Sequence, residues 1–246
     1  MAVAVIEATN SEVIYRESQV IGGLYESYST VHDSAIGTDL QGGLISFGQA
    51  HRYNIESFPP AYGDYFFIGR AGFVFDLSSL PSGAIIAAAT LSLYGMSDYS
   101  DTADFNITIV SGVDLGNTFV IADYGDLLND TTSFGALTTV GFLLENWNII
   151  TLNATGVAAV QAALANGVIR FGLRSSRDIS STTPKIDPNY NDEYVNFYSH
   201  STANKKPKLT ITYSAGEEAG VITIKGTAFR YVDAFGAERG ATLPLV

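Results

Sequence analysis

Trp147-Asn-Ile-Ile-Thr-Leu-Asn153, then Ala154 to Asn166, then Gly167-Val-Ile-Arg-Phe-Gly-Leu-Arg174 form the first part of the stretch that decides the fold. After a polar loop it closes with Asn196-Phe-Tyr-Ser199 and Lys206-Pro-Lys-Leu-Thr-Ile-Thr-Tyr213. Ile149, Thr151 and Asn153 share one side of a period-2 run, and Trp147, Ile150 and Leu152 make it β-prone. Asn153 or Thr155 can cap a helix, because a short side-chain oxygen satisfies a free N–H of the first turn. Val157, Val160, Gln161 and Leu164 keep helical spacing, with alanines between them that permit close approach to a sheet. Asn166-Gly167 is a stop signal, since glycine accepts the left-handed geometry that ends a helix. Val168, Phe171 and Leu173 resume an extended strand. Leu209, Ile211 and Tyr213 alternate with Lys208, Thr210 and Thr212, as a half-buried strand requires. Pro207 fits just before it, where no ladder N–H is needed. The order is strand, helix, strand, loop, strand, strand.

The rest of the chain extends this β pattern. Its 246 residues allow one large β domain and a small appendage. Apolar content of 46%, 24 Gly and only 15% charged residues suit many strands joined by turns around a substantial core. Residues 1–25 read as short strands ending at Gly22-Gly23. Thr30-Val31 and Leu44 to Phe47 read as strands, and Ser57 to Gly63, with Pro59-Pro60, as an exposed loop. Tyr65 to Ile68 and Arg70 to Leu77 precede a turn at Ser78 to Gly83, and Ala84 to Tyr94 follows as a strand. Ser97 to Asp104 reads as a polar loop and Phe105 to Val110 as a strand. One or two strands and long loops are expected over 111–146.

Residues 1–213 are therefore expected to form one β-sandwich domain. Residues 214–220 have linker composition. Residues 221–246 read as a strand-rich ribbon with a hairpin turn at Asp233-Ala-Phe-Gly236, too small to bury enough surface alone. It is expected to dock on its own domain or on another subunit.

The stretches 65–94 and 147–213 together resemble the DNRLRE-type domain, a jelly-roll module similar to carbohydrate-binding modules. The resemblance rests on Arg70, on Phe75-Asp-Leu-Ser-Ser-Leu-Pro-Ser-Gly-Ala84, and on Leu91-Ser-Leu-Tyr94. It continues in Trp147, in Leu152-Asn-Ala-Thr155 with the helix that follows, and in Lys206 to Tyr213. It covers about half the domain; the first 60 residues depart from the family's usual opening, and the tail after Gly220 lies outside it. It implies an all-β jelly-roll sandwich with one short crossover helix. Such modules serve as sugar binders, surface spacers and virion parts, so fold alone does not choose among them.

Charge and motifs narrow the function classes. A net charge of −12 argues against a nucleic-acid backbone as partner. No segment has the apolar length that spans a bilayer. The absence of Cys removes disulfides and thiolate metal sites. Residues 1–25 lack the pattern of a signal peptide. His32, His51 and His200 are isolated, and neither His-Glu-x-x-His nor a Gly-x-Ser-x-Gly elbow occurs. No catalytic residue is assigned.

Two binding constellations stand out. Asp187, Asn189, Asn191 and Glu193 place oxygen-bearing side chains at every second residue, a pattern that a curling loop turns around a hard cation such as calcium. The bland alternative is a solvated Asx-rich turn. Asp98, Asp101 and Asp104 make a weaker acidic loop. Tyr62, Tyr65, Tyr99, Tyr190 and Tyr194, with Tyr124, lie in or beside expected loops, where flat rings would stack on pyranose faces. Trp147 reads as core. Arg70, Arg170 and Arg174 read as sheet-edge residues paired to acids or carbonyls.

The expected function is a non-enzymatic virion structural protein, a phage decoration, spike or tail-fibre-type subunit exposed on the particle surface. Its expected partners are further copies of itself, taken by analogy as a trimer, and other particle proteins. The alternative is a secreted, extracellular carbohydrate-binding or adhesive module with glycans as partners.

Overall fold

The computed structural model describes residues 1–52, 63–100, 103–184 and 191–215, with His51, Arg52 and Asn191 described by backbone alone. Beyond these it describes the backbone of 222–225, 228–232 and 238–242. The chain is all-β, sandwich- or barrel-like, with short helices in the connections. Its first half contains β1 (Ala2–Glu17), β2 (Val20–Ile21), β3 (Leu24–Tyr25), helix α1 (Tyr28–His32), β4 (Asp39–Gln41), β5 (Leu44–Arg52), β6 (Tyr65–Asp76), β7 (Ile85–Asp98), β8 (Asn106–Ser111) and α2 (Asp123–Asp126). Next come β9 (Gly135–Thr138), β10 (Trp147–Thr151), α3 (Ala154–Ala163), β11 (Val168–Ser175), α4 (Ser176–Ile179), β12 (Asn191–Tyr198) and β13 (Lys208–Ser214). The ribbon strands are β14 (Ile222–Lys225), β15 (Ala228–Val232) and β16 (Glu238–Thr242).

Six strands close a ring of antiparallel pairings: β1–β13–β7–β12–β5–β6 and back to β1. Two long strands make closure possible by changing partners along their length. Ala2–Glu7 of β1 pairs with β13, while Ala8–Glu17 pairs with β6, and the register shifts between Ala8 and Asn10. An extra residue at such a bulge bends a strand and raises its twist, which carries it from one sheet to the next. In β7, Ile85–Ser92 pairs with β13, Thr90–Tyr94 with β10, and Gly95–Asp98 with β12. The other edge of β6 is also divided, with Tyr65–Gly69 on β5 and Ala71–Asp76 on β11. Strands β8 and β9 extend the sheet beyond β11.

This topology buries β6 on both sides, so its apolar residues do not alternate with exposed polar ones and its one inner charge, Arg70, is buried as well. Phe73 and Phe75 enter the main core with Phe47, Leu91, Leu93, Phe171, Phe197, Leu209 and Ile211. Phe66, Ile68 and Val74 enter a second core, with Tyr28 and Val31 of α1 and Phe119, Tyr124 and Leu127. A strand with one solvated face would alternate instead.

Helix α3 forms as its sequence predicts. Asn153 Oδ1 accepts the Gly156 N–H at 2.9 Å, and Gly167 has φ of 67° just after the helix. Gln161 then ties α3 to the start of β7, accepting the Ile86 N–H at 2.8 Å and donating to the Ala84 carbonyl at 3.0 Å. Asn153→Ala is expected to lower stability by about 1 kcal/mol, read as a fall in the urea midpoint with unchanged slope.

Several expectations need correction. Residues 2–17 form one strand rather than several. Thr30-Val31 is helical, because Ser27 caps α1 by accepting the Thr30 N–H at 3.3 Å and Tyr28, Val31 and His32 bury one face. The crossover helix is accompanied by three shorter helices and a 3₁₀ turn at Leu127–Asn129. Asn191–Glu193 belongs to a strand, not a loop. Trp147 is only partly buried on β10, packed edge-on against Tyr94 at 5.1 Å. Most of the expected loop Ser57–Gly63, and the expected turn Asp233–Gly236, lie outside the described residues. The three ribbon strands pair in the order β14–β15–β16.

Candidate functional site

One cross-strand row organises a cleft on the sheet. The pairings place Tyr15 of β1 opposite Gly69 of β6, Gly69 opposite Gly48 of β5, and Gly48 opposite Tyr194 of β12. The row therefore carries side chains only at its ends, and the two glycines between the tyrosines let neighbouring backbone approach closely, with Ser46 and Glu193 carbonyl oxygens where their Cβ atoms would lie. The backbone demands Gly48: its φ is +128°, and a Cβ there would collide with the Glu193 carbonyl oxygen. The next row is Glu17, Phe67 and Ala50.

The resulting cleft has a volume of about 350 Å³, at the small end of ligand sites, which span roughly 300–1,000 Å³. Its walls are Tyr15, Tyr65, Phe67 and Tyr194, and its polar groups include Glu17, Gln41 and Asn196. Neighbours hold the rings in place. Tyr15 lies 5.3 Å from Phe67, Tyr25 meets Tyr65 edge-on at 5.7 Å, and Tyr99 packs on Tyr194 at 4.8 Å. Tyr65 donates its hydroxyl hydrogen to Glu17 Oε2. The Tyr15 hydroxyl pKa is raised, first by burial and then by the Asp39 and Glu17 carboxylates. Asn196 donates from Nδ2 to Ser97 Oγ at 2.6 Å, and its buried Oδ1 has no hydrogen-bond partner among the described residues.

The structure thus brings Tyr65 and Tyr194 into one cleft and stacks Tyr99 behind Tyr194, while Tyr62 and Tyr190 lie outside the described residues. Tyr65 opens β6 and Tyr99 follows the end of β7, both in or beside connections as expected, whereas Tyr194 sits within β12. Tyr124 is a correction, fully buried beneath the Arg70 guanidinium at 4.0 Å. Sequence reading missed Tyr15, Glu17, Gln41 and Asn196. The alternation of Tyr15 and Glu17 along β1 was the available signal.

Of the oxygen-rich set, Asp187 and Asn189 lie outside the described residues and Asn191 is described by backbone alone. Glu193 is buried in β12, with Oε2 2.6 Å from Arg177 Nε. In the second acidic loop, Asp98 Oδ1 accepts from the Ser100 N–H and hydroxyl, and Asp104 accepts from Thr139 Oγ1; Asp101 lies outside the described residues. Among the described residues, no group of three or more His, Asp or Glu side chains is placed to hold a metal ion.

Arg70 and Arg174 are buried within the body rather than at a sheet edge, both on Asp178. Arg170 binds Asn117 Oδ1 through Nε and Nη2, at 3.1 and 2.6 Å. Ser11 and His200 lie together, but in a structural arrangement. His200 Nδ1 accepts the Ser11 backbone N–H at 2.9 Å, and Ser11 Oγ accepts the His200 backbone N–H at 2.7 Å. The ring lone pair that would take the hydroxyl proton is already engaged.

Comparison with known proteins finds no matching family model and no curated protein of similar sequence.

Proposed function

We propose that this chain is a non-enzymatic virion structural protein, a phage decoration, spike or tail-fibre-type subunit built on a DNRLRE-type jelly roll and displayed on the particle surface. The observation that carries this reading is the C-terminal ribbon, whose three described strands pair only with one another. A sheet of three short strands buries too little apolar surface to hold its shape without a partner. Its outer strands, β14 and β16, each pair on one side only, a template for joining neighbouring copies. Lys225, Arg230 and Arg239 outnumber Asp233 and Glu238 in residues 221–246, so the ribbon is slightly basic in a chain of net charge −12. That contrast favours docking on an acidic body. The full-length chain is expected to sediment as a homo-oligomer, a trimer in this reading, and a chain ending at residue 215 as a monomer. Equal monomeric masses for both would defeat it.

A second reading, an extracellular carbohydrate-binding or adhesive module, is favoured by the convergence of Tyr65 and Tyr194 on one cleft with Glu17 and Asn196. Aromatic walls beside a few directed polar groups are the usual make-up of a small-ligand site. The two readings are compatible, since a particle-surface subunit has use for a glycan contact.

A further inference from the structure

We infer that the cleft lined by Tyr15, Glu17, Tyr65, Phe67, Tyr194 and Asn196 takes a neutral pyranose unit of a glycan and discriminates against anionic sugars. This rests on the carbohydrate-binding reading of the same cleft. A pyranose has C–H faces that pack on aromatic rings and an equatorial rim of hydroxyl donors. The cleft offers both complements. Its rings are held by Tyr25, Tyr99 and one another, so little ordering is left for the moment of binding. Its polar groups are biased toward accepting. Glu17 presents a carboxylate, an acceptor for a sugar hydroxyl, whereas Asn196 Oδ1 lies below the cleft surface, out of reach of solvent.

Charge sets the class. The described lining contains one carboxylate, Glu17, in a chain of net charge −12. A uronate or sialate would bring a second negative charge beside it, at a site where partial burial strengthens repulsion. A neutral hexose meets no such penalty.

The test is a binding screen of the full-length protein against immobilised neutral oligosaccharides of glucose, galactose and mannose, beside uronate- and sialate-terminated glycans. It is repeated with Tyr194→Ala, Tyr194→Phe and Glu17→Gln, and near-ultraviolet circular dichroism reports folding. Neutral glycans are expected to bind. Tyr194→Ala is expected to weaken that binding at least tenfold, Tyr194→Phe to retain it, and Glu17→Gln to weaken it while narrowing the gap to acidic glycans. If Tyr194→Ala fails to fold, the two shape-conserving variants still decide. A preference for acidic glycans overturns the inferred class and leaves carbohydrate binding standing. Neutral binding indifferent to Tyr194→Ala and Glu17→Gln overturns the cleft as its site. Binding to no glycan overturns both this inference and the reading beneath it.

Discussion

Replacing Asp178 by asparagine is expected to destabilise the fold by about 3–5 kcal/mol, the cost of breaking a buried ion pair by removing one partner. The carboxylate sits between two buried guanidiniums. Arg70 donates to both of its oxygens at 3.0 and 2.8 Å, and Arg174 Nε donates to Oδ2 at 2.7 Å. Further arginine donors go to carbonyls of Tyr124, His32, Leu128, Asp130 and Asp178, so the cluster ties α1, α2 and the following 3₁₀ turn to β6 and β11. His32 Nε2 adds a bond to the Asp178 carbonyl at 2.8 Å. An asparagine of the same shape leaves two buried positive charges facing a neutral amide. Equilibrium urea unfolding measures the loss, and a change below 1 kcal/mol would show that the guanidiniums find other partners.

The same carboxylate sets an acid limit. Burial alone would raise its pKa, but the charge of Arg70 and the hydrogen bonds from Arg70 and Arg174 outweigh it and hold it at about 2, below the ordinary 3.8. A folded value below the unfolded one means that the unfolded chain binds protons more readily. This contribution, about 2–3 kcal/mol by proton linkage, is present in full above the ordinary value and is lost as pH falls from there through 2. The gap between the parent protein and Asp178→Asn is therefore expected to narrow across that window.

Gly48→Ala is the second large effect, with an expected cost of at least about 2 kcal/mol from backbone strain and overpacking. The new methyl would require a left-handed φ of +128° and collide with backbone of β12. Relief of that collision moves β12 away from β5, which shifts Tyr194 and deforms the cleft. Gly22→Ala is the control. Gly22 also has positive φ, +62°, but a Cβ there meets nothing within 4 Å. Its cost is expected to stop at the conformational term, about 1–2 kcal/mol. Equal losses at the two positions, by chemical denaturation, would remove the packing half of the explanation.

Legibility in the sequence followed the range of the interaction. The segment β10–α3–β11 was readable because its causes are local: an Asn cap, a helical period and a Gly stop. Strand β1 was misread as fragments because Thr9-Asn10-Ser11 is polar, yet that break is where the strand changes sheets. Trp147 reads as core by composition, but among the described strands β10 pairs with β7 alone and leaves the indole only partly buried. The arginines were recognised as paired, but their depth depends on Asp178, 108 residues from Arg70. The site divides the same way. Tyr65 and Tyr194 were selectable as aromatic residues. The row that joins them through Gly69 and Gly48 is a fact of register, and register between distant strands is not written in any one segment.

Ring closure has a further meaning for biosynthesis. The opening strand, Ala2–Glu7, finds its partner only in Lys208–Tyr213. At ribosomal speeds of roughly 5–20 residues per second, this segment waits on the order of 10–40 seconds for its mate, with the core residue Ile6 among the side chains it carries. Productive folding is thus postponed until Lys208–Tyr213 has been made, and the interval is when chaperone capture or intermolecular strand pairing competes for this chain.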